Sequence, residues 1–337
     1  QLMQQRFNIV LPQIQLKDTQ GFNVLADINT LHYAMRGAGT DTKTIISLVS
    51  QRNSAELAAI ANTYYKLFGR NIQESIRMEQ TIVFNMQIAL CGLFDGRTKF
   101  IEQMTFSQDP KCKVAAILLM TEQDKLMMKQ RFLARMKKED IEVMQRPIEH
   151  PLDFRGFEAQ IMACLGQGTA AQLLRSWLIN DLRIEWQPDQ AAEELYKAAK
   201  GAGTDEHIFI KYLTSTTPEC YRKICQAYET KYKKTIEQTI LKEFIDVDQF
   251  ALVLANQLLI NQDLAIAYAI HRCVKGAGTA DMALIYITLC YCDYYKSRIV
   301  ELYKPFGDFV KDVKKDLNGK YQDLILMLWG QSIINQS

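Results

Sequence analysis

One six-residue word occurs three times in the chain: Arg36-Gly37-Ala38-Gly39-Thr40-Asp41, Lys200-Gly201-Ala202-Gly203-Thr204-Asp205 and Lys275-Gly276-Ala277-Gly278-Thr279-Ala280. A repeat of this kind constrains the architecture more than any local pattern, because each copy is a unit that buries its apolar surface against its neighbours. Gly201 and Gly276 are 75 residues apart, whereas Gly37 and Gly201 are 164 apart, which fits two units plus about 14 surplus residues. A fourth unit that has lost the word is therefore expected between the first and second copies.

The surroundings of the word repeat as well. Leu57 to Gly69, Cys220 to Tyr232 and Ser297 to Gly307 follow it, with apolar residues at the three- and four-residue steps of an amphipathic helix. Leu25 to Met35, Ala191 to Ala199 and Leu264 to Val274 precede it as helices. The word is thus a tight helix-helix connection. Its Thr reads as the N-cap of the next helix, with Asp41 and Asp205 placing negative charge at the positive end of the helix dipole. Seven prolines and little strand-like alternation predict an all-α fold.

The silent unit reads as residues 94–165, with helices over Cys112 to Met120 and Gln123 to Met136 and with Phe106-Ser107-Gln108-Asp109-Pro110-Lys111 in place of the glycine word. Residues 166–187, with Gly168, Trp177 and Trp186, read as a connector. The expected division is a tail at 1–17, a first repeat at 18–93, the silent repeat at 94–165, the connector at 166–187, a third repeat at 188–260 and a fourth at 261–337.

Composition narrows the function. With 48% apolar and 23% charged residues the chain belongs to the ordinary globular class. Its 40 basic and 38 acidic residues leave a net charge of +2, too small for a protein that coats nucleic acid. The longest apolar stretches, Val114 to Met120 and Leu324 to Trp329, fall short of the roughly 20 residues that cross a bilayer. Residues 1–17 lack the pattern of a secretory signal, and eight cysteines without C-x-x-C spacing read as reduced core thiols, so a cytoplasmic protein is expected.

The glycines supply the chemistry. Alternate glycines let successive carbonyls converge, and carbonyl oxygens are hard, neutral ligands suited to Ca2+. A carboxylate must complete such a site. Glu79 lies forty residues after Gly39, and Glu243 forty after Gly203. In the fourth unit the forty-residue position is Asn318, and with two residues lost in the turns Asp316 is chosen in its place. Three carbonyls, for instance those of Met35, Gly37 and Gly39, plus a bidentate Glu79 give five oxygens, whereas calcium takes six to eight. An anionic lipid phosphate would complete shell and charge together, with Arg36, Lys200 and Lys275 adding attraction. The word lacks the third glycine of a dinucleotide loop and the Gly-Lys-Ser/Thr end of a P-loop, and no nucleophile or base declares itself, so no enzyme is expected.

These loops, with Glu79 and Glu243, resemble those of the annexin family, whose loop reads M-K-G-x-G-T-D with a distant acid; the resemblance extends from about Asp18 to Gly330. It implies four repeats of five short helices in a curved disc that meets anionic phospholipid membranes through Ca2+. Carried over by position, the ligands are the carbonyls of Met35, Gly37 and Gly39 with Glu79; of Ala199, Gly201 and Gly203 with Glu243; and of Val274, Gly276 and Gly278 with Asp316. In the silent repeat the acidic position falls near Gln145 and Arg146. The divergent second repeat and short tail also resemble the alpha-giardins, which implies a structural role beside the cytoskeleton or flagella, through cytoskeletal proteins or self-association, as the alternative function.

Overall fold

The computed structural model describes residues 9–11, 21–37, 39–136, 156–179, 183–200, 203–275 and 280–332. Among them the chain forms helices throughout, with one isolated bridge between Ile184 and Thr216. The first repeat runs α1 (Val24–Ala34), α2 (Thr42–Ser50), α3 (Ser54–Phe68), α4 (Ile72–Met78) and α5 (Phe84–Asp95). Then come α6 (Arg97–Thr105), α7 (Pro110–Leu118), α8 (Glu122–Arg135), α9 (Phe157–Ala163) and α10 (Thr169–Ile179). The third repeat holds α11 (Pro188–Ala198), α12 (Glu206–Ser215), α13 (Pro218–Tyr232), α14 (Ile236–Glu243) and α15 (Asp246–Ile260). The fourth holds α16 (Gln262–Val274), α17 (Asp281–Tyr295), α18 (Ile299–Tyr303), α19 (Phe309–Asp316) and α20 (Gly319–Leu328).

Local chemistry sets the helix ends. Asn53 accepts the N–H groups of Ala55 and Glu56 at 3.0 Å while Glu56 returns a bond to the Asn53 N–H at 2.9 Å, a reciprocal box that starts α3. Gly69, at φ +66°, stops it in the left-handed region that glycine reaches without strain. Thr235 and Gln238 build the same box for α14.

The described chain divides into two compact units. One comprises residues 1–10 and 105–265, the other residues 11–104 and 266–337. In the first, α15 is buried without interruption from Phe250 to Leu259 and packs on α7, α10, α12, α13 and α14. A helix apolar on all sides must lie at a centre. In the second, α17 plays this part against α5 and α20, and the fully buried Trp329 donates its indole N–H to Thr288 Oγ1 at 3.0 Å.

Two features differ from the sequence reading. Residues 166–187, expected as a connector, contain the eleven-residue α10, which buries Ala170, Ala171, Leu173, Leu174 and Leu178 and packs on α7 and α15. The helix expected over Ser297 to Gly307 is reduced to Ile299–Tyr303, because α17 runs on to Tyr295.

Gly92 gives a test of core packing. A Cβ there would lie 2.7 Å from Leu289 Cδ2 and from Phe100 ring carbons, inside the closest normal contact. Gly92→Ala is expected to destabilise its unit by about 1–3 kcal/mol through overpacking, despite the better helix propensity of alanine. Urea unfolding measures this, and an unchanged midpoint would refute it.

Candidate metal centres in the helix-connecting loops

The three glycine words close in the same way. The Asp41 N–H reaches back to the Ala34 carbonyl at 2.8 Å, Asp205 to Ala198 at 2.9 Å and Ala280 to Cys273 at 3.0 Å. Each bond pins the last residue of the word to a carbonyl seven positions back, at the end of α1, α11 or α16. Gly37 and Gly39 lie at φ +112° and +118°, and Gly203 at +125°. A Cβ at any of the three would meet nothing within 4 Å, so the requirement for glycine is one of backbone angle and not of space. Gly201, Gly276 and Gly278 lie outside the described residues.

The N-cap is the aspartate and not the threonine. Asp41 accepts the Thr44 N–H at 3.1 Å, and Asp205 the His207 N–H at 3.2 Å. This frees the threonine hydroxyls for a longer connection. Thr40 Oγ1 donates to Glu79 Oε2, and Thr204 Oγ1 donates to Glu243 Oε2 at 3.2 Å. Thr81 Oγ1 also donates to Thr40 Oγ1, at 2.7 Å. In both repeats the loop and the acid forty residues downstream therefore meet in space.

Helix register places the acids. Glu79 follows Ile72 by seven positions, as Glu243 follows Ile236 and Asp316 follows Phe309, and these are the first residues of α4, α14 and α19. Asp316 is thus the register equivalent of the two glutamates, and the two lost residues fall between Ala280 and Phe309. Glu243 Oε1 also pairs with Lys242 Nζ at 2.8 Å. The Lys242 hydrogen bond holds the Glu243 carboxyl below the usual glutamate range, so it is ionised at neutral pH. Beside Glu79 lies a cleft of about 290 Å³ whose lining includes His32, Met35, Arg36, Arg70 and Met78. Ala199 and Val274 end their helices as Met35 does, and Val274 is buried.

The second repeat is built differently. Asp109 caps α7 by accepting the N–H groups of Lys111 at 2.8 Å and Cys112 at 3.0 Å, so a short glycine-free connection suffices. Seven positions after Phe157, the first residue of α9, stands the exposed Cys164. Lys113 Nζ donates to its carbonyl at 2.5 Å, so an ammonium group adjoins the position that carries a carboxylate elsewhere. Gln145 and Arg146 lie outside the described residues.

Two further groups complete the local picture. Gln87 donates to the Glu79 carbonyl at 3.0 Å, Gln249 to those of Leu241 at 3.0 Å and Phe244 at 2.8 Å, and Gln322 to that of Lys314 at 3.2 Å. These amides satisfy carbonyls at the ends of α4, α14 and α19 and so hold each acid-bearing terminus. The signal was present in the sequence as a glutamine eight residues after Glu79, Leu241 and Lys314. Lys275, expected to attract acidic headgroups, instead faces Asp312 at 3.4 Å. His32 stacks on Phe68 and His271 shares a hydrogen bond with the Tyr303 hydroxyl, both packing roles, while His150 lies outside the described residues.

Helical repeats whose first and second helices are joined by glycine loops, two of which meet a carboxylate from the end of a later helix, define a class of all-α repeat proteins. The annexin family model matches residues 26–81 and 190–247, the two repeats in which the loop and glutamate meet. Annexin A5 of Bos taurus is 27% identical over 325 residues, covering 93% of this chain and 96% of the relative. Chicken annexin V in complex with Zn2+ superposes with a TM-score of 0.75 at 22% identity, covering 96% of this chain and all of the other. A calcium-bound alpha-14 giardin superposes with a TM-score of 0.70 at 18% identity, covering 91% and 99% of the two chains. The chain thus resembles the annexins, in sequence most closely within these two repeats and in fold over nearly its whole length. Annexins as a family bind anionic phospholipid membranes in a calcium-dependent manner.

Proposed function

We propose that this protein attaches to anionic phospholipid membranes through Ca2+ held in its helix-connecting loops. The observation that carries this reading is the hydrogen bond from Thr40 to Glu79, repeated from Thr204 to Glu243, which brings each carboxylate to its glycine loop. Among the described residues no group of three His, Cys, Asp or Glu side chains gathers to hold a metal ion. An ion here would rest on backbone carbonyls and one carboxylate, an all-oxygen set that suits calcium. The carbonyls of Met35, Gly37 and Gly39 with Glu79 would hold one ion, and those of Ala199, Gly201 and Gly203 with Glu243 a second. Val274, Gly276, Gly278 and Asp316 form the third candidate set.

One carboxylate leaves a divalent ion with net positive charge and open coordination positions. A lipid phosphate oxygen supplies both missing parts, so the bound ion bridges protein to bilayer. The chain thereby acts as a peripheral binder, in keeping with the absence, among the described residues, of a helix long and apolar enough to cross a membrane. The fold likeness to alpha-14 giardin brings no cytoskeletal partner with it.

Sedimentation with vesicles containing phosphatidylserine tests the proposal. The protein is expected in the pellet with millimolar calcium and in the supernatant after chelation. Recovery indifferent to chelator would sink it.

A further inference from the structure

We propose that Val83 and Ile245 are apolar anchors that enter the boundary between headgroups and acyl chains of an anionic bilayer, beside the loop-acid pairs of the first and third repeats. This rests on the calcium-bridging reading above and adds a second, non-ionic contact to it.

The two residues occupy the same structural position: each is the N-cap of its repeat's fifth helix, Val83 for α5 and Ile245 for α15. That position favours Ser, Thr, Asp and Asn, whose side chains accept an orphan N–H, and β-branched apolar residues rank lowest there. Neither Val83 nor Ile245 makes a side-chain cap bond. Capping bonds start many of the other helices, from Asn23, Asp41, Asn53, Asp109, Thr121 and Asp205, while Gln187, Ala280 and Arg298 make none. In the other two repeats the same position holds Gly168, before α10, and Asn318, before α20. The apolar caps thus coincide with the repeats in which a glutamate meets its loop.

Neither side chain is buried. Val83 is 59% exposed, its neighbour Phe84 73% and Ile245 80%, while the preceding Ile82 and Phe244 turn inward at 4% and 5%. Single exposed apolar residues are common on protein surfaces and mean nothing alone. Here the exposure recurs at a position where a polar residue would serve the helix better. After Ile245 the backbone passes through Asp246 at φ +44°, a left-handed turn that aspartate tolerates better than most residues, and its carboxylate pairs with Lys111 at 2.9 Å.

The surroundings identify the occupant. Val83 lies four residues after Glu79 in the segment that Thr81 fastens to Thr40, and Ile245 lies two residues after Glu243. Polar and charged residues flank both: Glu79, Gln80 and Thr81 in one repeat, Lys242, Glu243 and Asp246 in the other. The core of a protein-protein interface is depleted in such charges, whereas a headgroup layer solvates them and still admits a short apolar side chain. Without a cation the glutamates repel an anionic surface. With one bound, the sign of the local charge reverses and the anchor is drawn in with it.

Val83→Ser and Ile245→Ser, alone and combined in the full chain, separate this contribution from calcium binding. Calorimetric calcium affinity without lipid is expected to stay within about twofold, and the melting temperature to hold or rise, since serine is a good N-cap. At fixed calcium, partitioning of the double variant onto phosphatidylserine vesicles is expected to fall by about tenfold. An Ile245→Trp variant is expected to show, relative to the unchanged chain, blue-shifted emission that bromine-labelled acyl chains quench only when calcium is present. Unchanged partitioning with unquenched emission, while the parent chain still pellets with calcium, overturns the anchors and leaves calcium bridging standing. Loss of self-association in the serine variants by sedimentation velocity, with partitioning unchanged, overturns them in favour of a second copy as occupant. A parent chain that never pellets with calcium removes both readings.

Discussion

Replacing Glu79 and Glu243 together by glutamine is expected to raise the calcium concentration for half-maximal vesicle binding by more than about tenfold, because affinity of oxygen-ligand sites follows ligand charge. Glutamine keeps the size of glutamate and one oxygen able to accept from Thr40 or Thr204, so the loops remain closed while the only formal negative charge of each candidate set is lost. The fold should be insensitive, since the Asp41 and Asp205 backbone bonds that close the loops do not involve the acids. Each single variant is expected to show part of the effect, and Asp316→Asn less than either. Co-sedimentation across a calcium titration reads the shift. A curve superimposable on that of the parent would exclude these carboxylates as ligands.

The second large effect concerns stability. Asp27 on α1 receives two hydrogen bonds from Arg52, from Nε to Oδ2 at 2.6 Å and from Nη2 to Oδ1 at 3.0 Å. Their side chains are only 8% and 10% exposed, so this is a paired, largely desolvated contact, and Asp27 raises the Arg52 pKa above its usual value. Asp27→Ala leaves a guanidinium with little access to water and without its hydrogen-bonded carboxylate, with only the longer-range attraction of Glu56 remaining, and is expected to destabilise its unit by about 3–5 kcal/mol. Asp27→Ala with Arg52→Leu removes both charges and is expected to recover most of the loss, because two apolar groups in place of a buried pair are often near neutral. Chemical denaturation of both variants measures this. A double variant no more stable than the single one would show that the pair itself, and not the stranded charge, carries the energy.

Much of this fold is legible in the sequence because it is repetitive. The expected helices Cys112 to Met120 and Gln123 to Met136 became Pro110–Leu118 and Glu122–Arg135, as their three- and four-residue periodicity dictates. The misreadings have physical reasons. Threonine and aspartate are both good N-caps, and only contact with an acid forty residues away decides which of them is diverted; a local rule cannot see that acid. The surplus residues with Gly168, Trp177 and Trp186 suggest a connector at 166–187, yet Gly166 and Gly168 stand ahead of α10 and permit positive φ at +71° and +106°. Twenty-one residues separate α8 from α9, against three between α3 and α4, so the surplus of the second repeat belongs there. With that surplus ahead of α9, the position equivalent to the acids is Cys164, seven after Phe157, and not Gln145 or Arg146. The choice of Asp316 rests in the sequence on two residues lost from the fourth unit, and the start of α19 at Phe309 supplies an independent ruler for that count.

The seven-position loop closures have a thermodynamic consequence. Each loop and its acid belong to one compact unit, the pair of Thr40 and Glu79 to one and that of Thr204 and Glu243 to the other. In an unfolded chain forty residues separate loop from carboxylate, and no binding-competent arrangement exists. Any ion that selects the assembled pair therefore favours the folded form by linkage, in proportion to the logarithm of its concentration above the dissociation constant. Because each unit has its own pair, a bound ion would act as a separate thermostat for each half of the chain, and a pulse of it would firm both together.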